Sequence, residues 1–365
     1  MFKELLLASV FYAWCHESSA RRTGALPRPL DVSVYAIIDD TYVKQMGTHG
    51  NPWPATQFLE AALNGATLKY AGGFRNVYIR LILTSYAAVE SGKEPYFMKL
   101  RTDGNLDGEQ SIKIFQNLAE VVHEEEQSKL HTKTFTKDVV LLVTGRKICK
   151  LSGEDHHCKV IKGIAVPRSL CTKRSAAIVT LTMDIQEATD RIARYMAKVM
   201  GADTQERGEC GCRENSIFDE HVEEDMIAYL RSTDQSCLLR HRNPRNFLTP
   251  GSRFDKENFC KAKLPGRPGI KSCGKDDDIH RCQVHCCSPG NILTAVYTAP
   301  DGTACDALKH AVHLPGYATW SNSTEFLEAK LCYRGTCNAR ATDLQDILKT
   351  DRADYPKVRS NRRFS

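Results

Sequence analysis

The chain predicts an α/β domain, with a mixed sheet and packed helices, followed by a small disulfide-rich domain. Three observations carry that expectation. Short apolar runs of strand length alternate with longer segments of helical period through the first half of the sequence. Cysteines then crowd together, with Cys260, Cys273, Cys282, Cys286, Cys287, Cys305, Cys332 and Cys337 in a stretch that has few long periodic segments. The 365 residues suffice for one good-sized core and a smaller module.

In chain order, "VSVYAII" (32–38) reads as a buried strand bounded by Asp39 and Asp40. "PATQFLEAALNGATLKYAGG" (54–73) sets Phe58, Ala62, Leu63 and Ala66 at helical spacing, and Gly72 with Gly73 stops it. "VYIRLIL" (77–83) is the next strand, "SIKIFQNLAEVVHEEE" (111–126) a helix through Phe115, Leu118 and Val122, and "DVVLLV" (138–143) a third strand. This order argues for helices packed on a sheet. "VIKGIAV" (160–166) and "AAIVT" (176–180) are two more candidate strands. "DIQEATDRIARYMAKVM" (184–200) is a long helix with Ile185, Ala188, Ile192, Tyr195 and Val199 on one side. Asp184 and Glu187 form a candidate capping pair at its start.

The N-terminus has the parts of a secretory signal over 1–20: Lys3, an apolar core (5–14) and small residues at 18–20. A buried first strand or helix is the other reading. An apolar run of about ten residues is too short to span a bilayer, which takes roughly 20, and no later segment reads as a membrane anchor. The basic excess, 50 residues against 44, is spread out, so nucleic acid is not an expected partner. With Cys15 in the signal, fourteen cysteines remain: the eight above plus Cys149, Cys158, Cys171, Cys210, Cys212 and Cys237. That even number is expected to pair in an oxidising compartment, and finger-type zinc spacing is absent. The domains expected are therefore the signal (1–20), the α/β domain (21–250), the cysteine-rich domain (251–345) and a basic, disordered tail (346–365).

"ARYMAKVMGADTQERGE" (193–209) has the small residues, the apolar spacing and the Gly-Ala-Asp turn of a metalloprotease helix. Its neighbours extend the likeness: "DVSVYAIIDD", "YIRLILTSYAAVESGKEPYF", "DVVLLVTGR" and "GIAVPRSLCTKRSAAIVT", then "APDGTACD" (299–306) and "KLCYRGTC" (330–337). In the order of these segments the chain resembles the reprolysin (adamalysin-like) zinc metalloproteases of the metzincin group, closest to secreted forms found in tick saliva. The resemblance covers roughly 30–248 and continues into the cysteine-rich module. It implies a metzincin-like catalytic-domain fold.

That family carries H-E-x-x-H-x-x-G-x-x-H, in which three His hold zinc and the Glu polarises the bound water. With Gly201 on the motif's turn glycine, the ligand positions hold Arg194, Lys198 and Thr204, and the base position holds Tyr195. Arginine does not deprotonate, a second cation one turn away repels a metal, and threonine is a weak ligand. A phenol with a pKa near 10 is a poor base at neutral pH. Where the family places a methionine turn stands "SIFDEH" (216–221) with Phe218, and Met226 is the other candidate. Two readings of Arg194 and Lys198 remain open. Either they lie on a solvated face, or they close the old cleft by pairing with acids such as Glu187, Glu206 or Glu209.

Other candidates are weaker. "EDHHC" (154–158) reads as a polar loop rather than a metal site. His310 and His313, and His280 and His285, have spacings that could hold a metal weakly. Arg240, Arg242 and Arg245 are a candidate acidic-surface contact, with a solvated helix end as the plainer reading. Asn322 opens an N-glycosylation acceptor. The resemblance also implies an edge strand beside the cleft that pairs with extended peptide, here Lys162, Gly163, Ile164 and Ala165, against the plainer reading of an ordinary edge blunted by Lys159 and Lys162.

The function expected is that of a secreted pseudoprotease that binds an extracellular or host protein and needs no cofactor. The competing expectation is an active zinc metalloendopeptidase with a rearranged site built on His221 or the histidines of "EDHHC". A duplicate without a selected role is a third.

Overall fold

The computed structural model describes residues 29–47, 53–74, 77–89, 92–130, 138–152, 157–202, 218, 220–233, 237–238, 248–274, 276–305 and 330–349. Expectations for the signal, Thr204, Glu206, Glu209, Cys210, Cys212, the three arginines near 242, His310, His313, Asn322 and the last sixteen residues lie outside these.

The first region runs β1 (Leu30–Ile38), α1 (Asp40–Gly47), α2 (Ala55–Gly73), β2 (Ile79–Ala88), β3 (Leu106–Asp107), α3 (Gly108–Leu130), β4 (Val139–Thr144), β5 (Ile148–Ser152), β6 (His157–Ile161), β7 (Gly163–Ala165), β8 (Ala176–Thr180), α4 (Ile185–Val199) and α5 (Glu220–Ser232). Its main sheet has the order β2-β1-β4-β8-β7. The first four strands are parallel, and β7 runs antiparallel to β8 at the edge. The sheet is therefore mixed, as expected.

Residues of each central strand alternate between the two faces, and both faces are apolar because helices cover both. Val34, Leu141 and Val179 pack with Phe58, Leu63 and Ile192 of α2 and α4. Val140, Leu142 and Ile178 pack with Phe115 and Ala119 of α3. Strands β3, β5 and β6 form a small side sheet, in which Cys149 and Cys158 join β5 to β6.

The second region holds α6 (Lys256–Lys263), β9 (Lys271–Ser272), α7 (Asp276–His280), β10 (Gln283–Ser288), β11 (Ile292–Thr298), β12 (Lys330–Tyr333), β13 (Thr336–Arg340) and α8 (Ala341–Lys349). Its disulfides are Cys260–Cys286, Cys273–Cys287, Cys282–Cys332 and Cys305–Cys337. With Cys149–Cys158 and Cys171–Cys237, twelve of the fourteen expected cysteines are paired.

The tail expectation needs correction. Helix α8 carries the chain to Lys349, so 346–349 belong to it and not to the tail; Leu344 and Ile347 pack with Leu68 and Tyr78 of the first region and Leu331 of the second, and Leu348 is buried as well. The apolar residues at 344 and 347 follow helical spacing and find a shared core. Among the described residues no helix is long and apolar enough to cross a membrane.

Candidate functional site

Helix α4 starts on Asp184, whose carboxylate accepts from the amides of Gln186 and Glu187 at 3.0 and 3.2 Å. Glu187 does not complete the reciprocal capping pair. Its carboxylate turns to the guanidinium of Arg191 and to the Thr182 hydroxyl (3.0 Å), and Arg191 in turn donates to the carbonyl of Thr180 at the end of β8. Burial pushes the Glu187 carboxyl up, but Arg191 beside it outweighs that and holds it below the ordinary value.

At its other end the helix stops on Gly201, at φ 103°. The Ala202 amide donates to Ala197 and the Gly201 amide to Lys198, a double hydrogen bond that needs a left-handed residue between. A Cβ on Gly201 would lie 2.4 Å from Cβ of Tyr229 on α5, so the stop is also a close helix contact. The loop after β7 closes the same end, with the amides of Arg168 and Ser169 donating to the carbonyls of Lys198 and Val199.

Between these ends lie the positions singled out by sequence. Arg194 is exposed, so the solvated-face reading holds for it. Tyr195 is 4% exposed and lies under the edge strand: a Cβ on Gly163 would meet its ring at 2.6 Å. Lys198 is half-buried, its ammonium 5.2 Å from the centre of the Tyr195 ring. The ammonium is thus engaged with an aromatic face rather than poised as a metal ligand.

The floor beneath the helix is aromatic. Phe218 is buried and stacks on Tyr70 (5.3 Å between centroids) and lies 5.0 Å from Phe74. The Tyr70 hydroxyl donates to the Ala193 carbonyl of α4 at 2.5 Å, and burial holds that phenol well above its usual pKa. Met226, the other methionine-turn candidate, is a fully buried core residue of α5.

The candidate strand over 160–166 is split: Val160 and Ile161 end β6 of the side sheet, and β7 (Gly163–Ala165) forms the edge of the main sheet. The Lys162 carbonyl accepts from Thr180 (3.0 Å), and the Val166 amide donates to Ala176 (2.9 Å). In an antiparallel ladder those directions alternate, so the main-chain groups of Gly163 and Ala165 point away from β8. Among the described residues no strand pairs with that side.

Among the described residues the candidate histidines do not converge. His221 is exposed and lies 3.7 Å from Glu224 on its own helix. His285 is 3.3 Å from Asp278, and His280 meets the Cys305 carbonyl. Of "EDHHC", Cys158 is in its disulfide and His157 is placed by its backbone in β6. Cys282, Cys305 and Cys332 cluster closely enough for a metal, but two disulfides explain them.

One polar centre escaped the sequence reading. The strand order reverses between β1 and β4, and the carboxyl ends at such a point commonly form a ligand crevice. Here the chain fills it. Buried Asp39 accepts from the Tyr42 amide (2.8 Å), the hydroxyls of Thr41 and Thr144, and the Gly145 amide (3.3 Å). The Arg146 guanidinium lies 3.8 Å from each of Asp39, Asp40 and Glu94. The signal was present in Asp39-Asp40 and "TGR", but their meeting depends on the pairing of β1 with β4, which no local pattern encodes.

Comparison with family models and with curated proteins finds no match. Among solved structures, one titled "Structure of a chaperone-substrate complex" aligns at 8% identity and a TM-score of 0.30. The alignment covers 48% of this chain and 26% of that one, so the chain spans about a quarter of its length, and a likeness this slight carries no argument.

Proposed function

We propose that this chain is a secreted, reprolysin-like pseudoprotease that acts by binding an extracellular or host protein through an open sheet edge. The observation that carries it is the state of helix α4. Arg194 faces solvent, Tyr195 is packed beneath Gly163, and the Lys198 ammonium lies over the Tyr195 ring. An arginine and a ring-engaged lysine do not fit a zinc ion, and a buried phenol does not replace a carboxylate base.

The mixed sheet with a single antiparallel edge strand, the stacked helices and the disulfide-held second region are what the resemblance implies, and they support it. Six disulfides fit an oxidising compartment. Strand β7 supports binding without chemistry, because main-chain pairing at a sheet edge needs no metal.

The test is zinc per molecule by elemental mass spectrometry on mature protein dialysed without chelator, alongside chelator-sensitive cleavage of an unfolded protein. The expected result is zinc far below one per chain and no such cleavage. One zinc per chain with chelator-sensitive cleavage would overturn the proposal.

A further inference from the structure

We infer that the β7 edge takes acidic extended peptide segments, carboxylate-bearing strands rather than neutral or basic ones; this rests on the edge-binding function proposed above. The charge distribution is the first ground. Residues 157–202 hold eight lysines and arginines against three acidic residues, so most of the chain's formal +6 resides in this stretch. Four of those cations are exposed near the edge. Lys159 and Lys162 precede β7, Arg168 follows it on the loop bound to the end of α4, and Arg194 lies on α4.

Lys198 joins them from below. Its ammonium lies 5.2 Å from the centre of the Tyr195 ring, and that ring is the group a side chain at Gly163 would meet, so Lys198 adds a cation on the helix that underlies the strand. The described acids nearby already have partners. Glu187 is held by Arg191, Asp190 pairs with Lys69 at 2.7 Å, Glu120 with Arg174 at 3.0 Å and Glu124 with Lys173 at 3.2 Å. Asp184 caps α4 and pairs with Lys263 at 2.8 Å.

The geometry sets how a guest would sit. A strand added to β7 pairs with the outward groups of Gly163 and Ala165, and its side chains alternate between the two faces of the sheet. Those on the α4 face approach Lys198 and Arg194, while Lys162 and Arg168 flank the two ends. With no side chain at Gly163, β7 packs directly on the Tyr195 ring of α4, so the cations of that helix are held close to the edge. Charge complementarity of this kind steers association and suppresses basic partners.

The experiment uses the full mature chain and fluorescein-labelled decapeptides of alternating Val and Glu, Val and Gln, or Val and Lys, read by fluorescence anisotropy at low and high salt. A fourth peptide repeats the Val and Glu sequence with alternate backbone nitrogens methylated. The acidic peptide is expected to bind at least about tenfold more tightly than the neutral one, to weaken with salt, and to lose binding when methylated. Arg194→Glu, at an exposed position, is expected to cut acidic-peptide affinity about fivefold with an unchanged melting temperature. Equal binding of the neutral and acidic peptides, with the methylated peptide not bound, would overturn the charge preference and leave the edge reading standing. Binding indifferent to methylation would overturn both, since the contact would then be surface charge alone. No binding by any peptide would likewise overturn both.

Discussion

The two regions of this chain solve the same stability problem with different means. In the first, two apolar clusters fill the space on either side of a five-stranded sheet, and its described disulfides tie segments at the margins. In the second, five of the nine buried residues in the core are cysteines: Cys260, Cys282, Cys286, Cys305 and Cys332. A small module has too little interior to offset chain entropy, so cross-links supply by restricting the unfolded chain what the sheet supplies by burial. Crowded cysteines in an exported chain can therefore mark where the apolar core runs short.

The sharpest way to break this comparison is to remove a cross-link. Replacing Cys282 and Cys332 together by Ala opens a loop of sequence separation 50 and is expected to cost about 2–5 kcal/mol. Limited proteolysis should then cut within 251–349 while the α/β region stays resistant. Simultaneous loss of both regions would show that they stand as one unit.

The corresponding strike on the first region is Gly201→Ala. It forces a side chain into a left-handed residue and against Tyr229, and about 2–3 kcal/mol of destabilisation is expected in denaturant unfolding. A change below the measurement error would show that the α4–α5 contact yields easily.

Asp184→Ala tests the seam. That carboxylate caps α4 and also reaches Lys263 of α6 at 2.8 Å, so the loss of about 1–2 kcal/mol should come with faster proteolysis between the regions. An intact seam would shift the credit to Gln186, whose amide donates to the Thr298 carbonyl at 2.9 Å.

The smallest effect is electrostatic. Glu187 has its folded pKa lowered, so its contribution is present above about 4.5, its ordinary value, and is lost as pH falls through the folded value. The melting-temperature gap between the wild type and Glu187→Gln should be open at pH 7 and close as pH drops below that range. A gap independent of pH would mean that the carboxylate's charge contributes nothing.

How much of this was legible beforehand depended on range. Apolar period located α2, α4 and the central strands, because their burial is written in neighbouring residues. It marked 160–166 as one strand where the chain forms two, and the edge position of 162–165 came from the resemblance alone; the cysteine pattern anticipated the second region. The pairing of Lys198 with the Tyr195 ring was not legible, since it depends on which way a half-buried lysine turns. Nor was the filled crevice at Asp39, which joins groups 105 residues apart. The start of the tail was set four residues early, because a short amphipathic helix has too few residues to mark its own end.

One buried contact has a bearing on how the molecule is made. Arg80 and Asp31 face each other on neighbouring strands, joined by two hydrogen bonds of 2.6 Å, and a third Arg80 N–H donates to the Leu348 carbonyl at 3.2 Å, 268 residues further on. At roughly 5–20 residues per second a ribosome needs on the order of tens of seconds to cover that distance. Throughout that interval the early strands can pair, while the N–H that will reach Leu348 is left to water. Burial of this arginine is thus completed only when a helix synthesised near the close of translation arrives.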